Sequence, residues 1–516
     1  MLELHTPTAA AAWLRSRVAG SLQTDSRKVR LRDGFVAWPG ATTDARRHVN
    51  AAIVSGASAC LVEGSGVEQF EFSDPVVASY QGLKAASGPI ASAFLDEPST
   101  RLEVIAVTGT NGKTSTAWWL AHSLSSLKLA PPMLCGFVGT LGIGYPKSES
   151  GQSLPTMDLV GNGLTTPDPV LLQRSFREFA DAGVMACAVE ASSIGIEEDR
   201  LAGTRIRIAV FTNFSLDHLD YHGSMSAYWK AKASLFDWPG LRAAVINIDD
   251  EKGAELAAVL NSEKSSLLDV WTLSSTGAAR LQAQEITPGK RGLNFVIVEG
   301  EVRLPVRTQL VGHYNINNVL GVIGAMRAMG VGLEACVGSC ENLTPVPGRM
   351  ECQGGERKPL VAVDYAHTPD ALVQALVALR QMAHQRGGQL WCVFGCGGDR
   401  DPSKRAVMGA IAAKHADQVV VTSDNPRSEP PQTIIDQILL GLAHSETVHV
   451  QVDRALAIRL ALAQAKVNDV VLVSGKGHED YQETAGVRRP FSDQAQVRLA
   501  LCSWSASGHP AQREPV

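Results

Sequence analysis

The run Val104-Ile105-Ala106-Val107-Thr108-Gly109-Thr110-Asn111-Gly112-Lys113-Thr114-Ser115 has the residue types that a polyphosphate requires. An apolar strand leads into a glycine-bearing turn, then Lys-Thr, then an apolar helical stretch over residues 117–124. Small residues let backbone N–H groups approach phosphate oxygens, and a helix N-terminus adds partial positive charge. Lys113 can reach the outer phosphates, and the Thr114 hydroxyl suits Mg²⁺. The general phosphate-loop pattern would place its first glycine at position 107, where this chain has Val107, so the loop is a shortened form. A strand–helix turn that merely contains lysine is the competing reading. The glycines, the Lys-Thr pair and the flanking apolar runs together favour ATP.

Two further clusters accompany the loop. Glu190 ends the apolar run 184–189, where an acidic residue can hold Mg²⁺ directly or through water. Its alternative is to cap the helix that follows Ser192-Ser193. Residues 213–223, Asn-Phe-Ser-Leu-Asp-His-Leu-Asp-Tyr-His-Gly, are dense in metal-capable side chains. His218 and His222 lie four apart, but the glutamate of an H-E-x-x-H zinc site is missing. A magnesium role for His218 is preferred over a hydrogen-bonded surface turn.

The elements that must position these groups are legible as apolar runs. Residues 1–95 read as a small α/β unit, with strands at 35–38 and 59–62 and polar loops at 24–27 and 39–44. Those loops suit either a nucleotide sugar or plain turns. Residues 96–342 continue from the phosphate loop through continuous apolar strands at 184–189, 207–213 and 243–248, which predicts a mostly parallel sheet covered on both faces. Residues 343–516 hold four more such strands, at 360–363, 390–394, 418–421 and 469–473. Each runs into a chemically loaded loop: Asp364-Tyr365-Ala366-His367, Gly395 to Arg400, Ser423 to Arg427, and Ser474 to Glu479. Ligands of open parallel sheets bind beyond the carboxyl ends of strands, so these four loops should share one crevice. The expected fold is α/β throughout: a small N-terminal domain, a central P-loop ATPase-like parallel-sheet domain and a C-terminal Rossmann-like domain. The Pro-, Ser- and Gly-containing tail 505–516 is expected to be loose.

Composition narrows the functional classes. The 516 residues suffice for about three cores. A net charge of −5 argues against a nucleic-acid binder. No apolar stretch of about 18 residues suggests a membrane span, and the N-terminus lacks a secretory signal pattern. Nine scattered cysteines fit reduced thiols in a cytoplasm, and Cys392 and Cys396 read as packing residues rather than a zinc site.

The motifs together resemble the Mur ligases of peptidoglycan synthesis. They are the G-T-N-G-K-T loop, Leu164-Thr165-Thr166-Pro167, Glu190-Ala191-Ser192-Ser193, Asp217 to Gly223, Gly312 to Asn318 and Pro347-Gly348-Arg349-Met350-Glu351. Within that family, residues 24–27, 364–370 and Asp424-Asn425-Pro426-Arg427 are similar to the members that add the third residue of the stem peptide. The resemblance implies a cytoplasmic, ADP-forming amide ligase of cell-wall precursor synthesis, and hence of cell shape and division. Its substrates would be ATP, UDP-MurNAc-L-Ala-D-Glu and an amino acid. It implies catalytic roles for Lys113, His218 and Lys232, the last as a carbamylated lysine (carbamate from CO₂). It also implies two Mg²⁺ ions, one at Thr114 and Glu190 and the other at His218 and Lys232, with Lys230 the competing lysine. Nucleotide contacts would come from residues 109–115 (Gly109, Thr110, Asn111, Gly112, Lys113, Thr114, Ser115) and from Asn315, Arg349 and Asp364. The UDP-sugar dipeptide would meet Thr24, Ser26, Ala41, Thr42, Thr43, Leu164, Thr165, Thr166, Ser192, Glu198 and Arg200. Ile194 stands where the family usually has histidine, and Glu198 where an amide is commoner. The working unit is expected to be a monomer.

Residue chemistry then points to the amine. meso-Diaminopimelate differs from lysine by a distal carboxylate, which a guanidinium fork pairs bidentately. Arg400 and Arg427 can supply that recognition within the loop Asp424-Asn425-Pro426-Arg427, with Gly475 and Glu479 addressing the ammonium and backbone side. A bridge from Arg427 to Glu429 or Asp424 is the structural alternative. Competing functions are a lysine-adding ligase, a folylpolyglutamate synthetase, a P-loop ATPase of another class and a silent nucleotide sensor.

Overall fold

The computed structural model describes residues 1–40, 43–128, 132–146, 157–263, 267–289, 292–443 and 447–505. Ala41, Thr42 and the expected loose tail beyond Ser505 therefore lie outside the described residues.

Three sheets follow one another along the chain. The first has strands β1 (Leu2–Leu4), β2 (Leu22–Gln23), β3 (Gly34–Ala37), β4 (Ala59–Glu63) and β5 (Val77–Tyr80). They are all parallel, in the order β1-β5-β4-β3-β2. Ile90, Ala91 and Trp13 close one face, and Val170, borrowed from the following section, completes that core.

The second sheet contains β6 (Glu103–Thr108), β7 (Cys135–Gly139), β8 (Gly142–Gly144), β9 (Ala186–Glu190), β10 (Ile206–Phe211), β11 (Ala243–Asn247), β12 (Asp269–Ser274), β13 (Leu281–Pro288), β14 (Leu293–Glu299) and β15 (Val302–Arg307). Its order is β15-β14-β13-β12-β11-β10-β6-β9-β7-β8. The strands from β13 to β7 pair in parallel, as the continuous apolar runs predict. At both edges antiparallel strands extend this mostly parallel sheet: β7 pairs β8, β13 pairs β14 and β14 pairs β15 antiparallel. β14 and β15 mix buried with half-buried or exposed residues, and β8 is only Gly-Ile-Gly, so they lack the unbroken apolar signature of doubly covered strands. Separate apolar layers cover the two faces of the central strands.

The third sheet contains β16 (Glu351–Gly354), β17 (Leu360–Asp364), β18 (Leu390–Phe394), β19 (Gln418–Val421), β20 (Val448–Val450) and β21 (Val470–Ser474). The order is β16-β17-β21-β18-β19-β20, and only β16 runs antiparallel. A separate hairpin, β22 (Tyr481–Thr484) and β23 (Val487–Pro490), stands against the loop after β19. Cys392 and Cys396 are buried, and Cys396 Sγ lies 3.8 Å from Met408 Sδ, as packing residues would. Among the described residues, no helix is long and apolar enough to cross a membrane.

Candidate active site

The carboxyl ends of the parallel strands in the second and third sheets face one cavity of about 1210 Å³. In the central sheet this edge lies where the chain leaves β6 and its neighbours β9 and β10 diverge, a topological switch point.

At that point Gly109 and Gly112 hold positive φ, 147° and 84°. A Cβ at Gly109 would collide with the Thr212 hydroxyl, and one at Gly112 with the Asn318 amide oxygen, so larger side chains would break the turn. The loop is tied to the next strand end: Thr110 N donates to Asn213 O (2.8 Å) and Asn111 N to Asn213 Oδ1 (2.9 Å). The helix Lys113–Ser126 follows directly. Lys113 Nζ donates to Gly109 O (2.9 Å) and Thr110 O (2.8 Å). Burial lowers the pKa of this ammonium, opposed mainly by Glu190.

Glu190 is 1% exposed. Its carboxylate accepts from Thr114 Oγ1 (2.9 Å), from Thr140 N (2.8 Å) and from Thr140 Oγ1 (3.2 Å). Burial raises its pKa, and the charge of Lys113 acts against that rise. Capping of the helix Ser193–Glu197 falls instead to Ser192, whose Oγ accepts from Gly195 N (3.0 Å). Thr140 was not foreseen; it sits in a short β7–β8 turn with no motif to mark it.

Across the loop, His218 has a left-handed backbone (φ 53°) and lies 3.4 Å from Asp217. Burial pushes its imidazole down to about 4. His222 turns away, with Nδ1 2.9 Å from Glu197 and Nε2 3.0 Å from Ser193 Oγ, so the four-residue spacing does not make a shared ligand pair. Lys232, on the helix Met225–Ala233, is 1% exposed, whereas Lys230 is exposed. The Lys232 ammonium donates to Gly109 O (2.8 Å) and lies 4.4 Å from the Tyr228 ring centre. Burial, and next the charge of Lys113, lower its pKa well below the ordinary lysine value. Among the described residues, no three His, Cys, Asp or Glu side chains converge as a metal cage. The Thr114 hydroxyl and the Glu190 carboxylate, side by side on the cavity wall, are the kind of donors that fit Mg²⁺, which keeps waters and takes one or two protein oxygens beside substrate phosphates.

On the flank nearest the first sheet, Leu164, Thr165, Ser192 and Arg200 line the cavity, as does Ile194. Thr165 Oγ1 accepts from Thr140 Oγ1 (3.1 Å), and Arg200 Nη1 donates to Thr166 O (3.2 Å). Thr166 is buried behind this edge, with its hydroxyl on Glu190 O (2.7 Å). Glu198 is engaged elsewhere, paired with Lys84 at 2.7 Å and accepting from Tyr221 Oη at 2.6 Å. Thr24, Ser26 and Thr43 also lie outside the cavity lining; Thr24 hydrogen-bonds Asp168, and Ser26 opens a short 3₁₀ turn.

The third sheet brings its four loops together, as expected. Asp364, Gly397, Arg400, Asp424, Asn425, Arg427, Gly475 and Glu479 all line the cavity. Asp364 accepts from Met350 N (2.7 Å) and Ala366 N (2.8 Å), and Asn315 holds Val311 O (2.7 Å). Arg349 reaches Thr114 Oγ1 (3.2 Å) with its guanidinium 4.1 Å over the Tyr365 ring. Asn425 donates to Glu479 (2.7 Å) while Pro426 is buried beneath the loop. Lys476, fully buried between Asn425 and Glu479, was missed because a lysine in a glycine-rich turn reads as exposed. Arg427 Nη1 donates to Gly398 O (2.6 Å), and Glu429, one of the two partners of the alternative bridge, is paired with Arg405 instead.

Residues 107–326 match the Mur ligase middle domain and residues 348–477 the Mur ligase glutamate ligase domain. A curated UDP-N-acetylmuramoyl-L-alanyl-D-glutamate–2,6-diaminopimelate ligase from an Acidovorax species is 58% identical over 97% of this chain and 99% of its own length. A solved structure with the same protein name is 34% identical, covers 94% of each chain and superposes with a TM-score of 0.62. The MurF ligase of Thermotoga maritima in complex with ADP shares the fold at 16% identity, with a TM-score of 0.64 over 95% of this chain and 97% of that one. The chain belongs to the Mur ligase family.

Proposed function

We propose that the chain is an ADP-forming ligase that joins meso-2,6-diaminopimelate to the D-glutamate γ-carboxylate of UDP-N-acetylmuramoyl-L-alanyl-D-glutamate, working as a monomer in the cytoplasmic synthesis of peptidoglycan precursors. One observation carries this reading: a single cavity contains a phosphate loop and, from another sheet, two arginines suited to a carboxylate.

The γ-carboxylate attacks the terminal phosphorus of ATP and ADP leaves. The amine then attacks the acyl carbon of the resulting acyl phosphate, gives up a proton, and phosphate departs. The chain contributes positioning and charge neutralisation. Lys113 and the N-terminus of its helix face the phosphates, and Asn315, Arg349 and Asp364 hold the nucleotide. Leu164, Thr165, Ser192 and Arg200 orient the UDP-dipeptide, supported by Thr24, Ser26, Thr43, Thr166 and Glu198 beyond the cavity wall. Arg400 and Arg427 take the distal carboxylate, with Asp424, Asn425, Gly475 and Glu479 around its amino-acid end.

Thr114 and Glu190 would hold one Mg²⁺, and His218 with a carbamylated Lys232 the other. Bound there, Mg²⁺ offsets charge on the phosphoryl oxygens. An ammonium at Lys232 would repel the ion. Its burial favours the neutral amine, whose nitrogen can form an N–C bond to CO₂ and release one proton, leaving two carbamate oxygens.

The test is a coupled ADP-release assay with the UDP-dipeptide and meso-diaminopimelate, L-lysine or no amine. Release that requires both organic substrates and prefers diaminopimelate is the expected result. Equal turnover with lysine, or robust turnover without amine, would overturn the reading.

A further inference from the structure

The two arginines of the amine pocket sit on loops that are pinned together behind the cavity. Arg427 has a left-handed backbone, φ 51°, and so does Asp399, φ 54°, next to Arg400 on the facing loop. Residues other than glycine hold that conformation only where their surroundings over-determine it. Here the surroundings are specific. Ser428 Oγ donates to Asp399 Oδ1 (2.5 Å) and Ser428 N to Asp399 Oδ2 (3.2 Å). Asp399 N donates in turn to Glu429 Oε1 (2.6 Å), and Gly398 N to Asn425 O (2.9 Å). On the far side, the β22–β23 hairpin takes Arg427 N on Glu483 O (3.0 Å) and gives Ala485 N to Arg427 O (2.6 Å).

Glu429 is the hub of this joint. Besides Asp399 N, both its oxygens accept from Arg405, at 2.8 Å each. Arg405 is 1% exposed and also reaches Gln437 Oε1 (2.7 Å) and Gly397 O (3.2 Å). Neither Glu429 nor Arg405 lines the cavity. Removing the carboxylate would leave a buried guanidinium without its counter-charge, and the cheapest relief is movement of the loop that carries Asp399 and Arg400.

We infer that Glu429, through Arg405 and the Asp399 amide, is a positioning residue that sets the spacing of Arg400 and Arg427 and thereby the affinity for an amine with a distal carboxylate. This rests on the proposed reading of those two arginines as carboxylate receptors.

The experiment compares steady-state kinetics of the full chain with those of Glu429→Gln, Glu429→Asp and Ser428→Ala. Glu429→Gln should raise KM for meso-diaminopimelate about tenfold while KM for ATP and for the UDP-dipeptide stays within about twofold. Glu429→Asp should recover part of that loss. A diaminopimelate KM within about twofold of the parent, or a parallel loss toward all three substrates, would overturn the inference. Should Glu429→Gln fail to fold, Ser428→Ala cuts the same joint without stranding a charge. It should raise the same KM selectively, and no change there would count against the inference. A parent chain that does not use diaminopimelate would sink the functional reading instead.

Discussion

Lys113 and Lys232 donate to one carbonyl, Gly109 O, at 2.9 and 2.8 Å. Two ammonium groups so close in a buried place disfavour each other, and the one deeper under Tyr228 is the one whose pKa falls furthest. On the proposed reading, Lys113 is the cation that faces phosphate and Lys232 the amine that takes up CO₂. Lys232→Ala should lower ADP release about a hundredfold or more, and added acetate or formate should restore part of it. Full turnover in the untreated variant would exclude the carbamate. Arg427 behaves differently, because its neighbours already satisfy its backbone and one guanidinium nitrogen. Arg427→Ala should weaken diaminopimelate use by about two orders of magnitude while ATP binding, followed by nucleotide fluorescence, stays near the parent value. Equal losses would mark a scaffold role.

At the scale of elements, the loops that carry Asp424 and Gly475 hang on a fully buried ion pair. Arg454, at the start of the helix Arg454–Gln464, meets Asp493, at the start of the helix Asp493–Ser503, at 2.7 Å with both side chains 0% exposed. The guanidinium also takes Ser423 O (3.3 Å) and Ser474 O (2.9 Å), the carbonyls just before Asp424 and Gly475. Arg454→Met leaves Asp493 buried and unpaired, which should cost about 3–5 kcal/mol and lower the thermal midpoint. Arg454→Met combined with Asp493→Leu should cost less than the single change; a fully additive loss in calorimetry would refute the coupling. Nothing in the sequence announced this pair, since its members are 39 positions apart and each reads as a helix-start residue. The doubly covered strands were legible, because Val104–Val107 or Val470–Val473 must be apolar on both faces to be buried. The edge strands β14 to β16 were not, because strands with one open side carry mixed residues, nor was β8, which is only three residues long. The phosphate loop was legible for a steric reason, as the two glycines sit where a Cβ cannot. The engagement of Glu198 by Lys84 was not, since it joins a helix of the first section, Leu83–Phe94, to the central section.

The whole molecule is held together unequally. The first sheet shares its apolar core with the central section through Val170, and Gly88 packs so closely on the Ala202 carbonyl that a Cβ would collide with it. Lys84–Glu198 and Gln23–Arg174 add polar ties across the same boundary. Among the described residues, the third sheet is tied to the phosphate loop by single polar contacts, Asn111 to Asp370 (3.1 Å) and Arg349 to Thr114 (3.2 Å); its core receives the half-buried Val311 and Tyr314 from the central section, while Leu343 and Val346 of the connecting segment are buried in the central core. Polar interfaces of this kind permit relative motion, whereas shared apolar cores resist it. The proposed reaction would use that motion, because an acyl phosphate must meet the amine without meeting water. The C-terminal section should therefore be the one that swings. Dyes at the exposed positions Val54, Val259 and Leu440, each changed to cysteine after replacement of the exposed Cys352 and Cys502, would report it by fluorescence energy transfer. With the UDP-dipeptide and a non-hydrolysable ATP analogue, the 259–440 distance should shorten while the 54–259 distance holds. Equal change in both pairs, or none in either, would mean that the cavity is already set for chemistry and that closure plays no part.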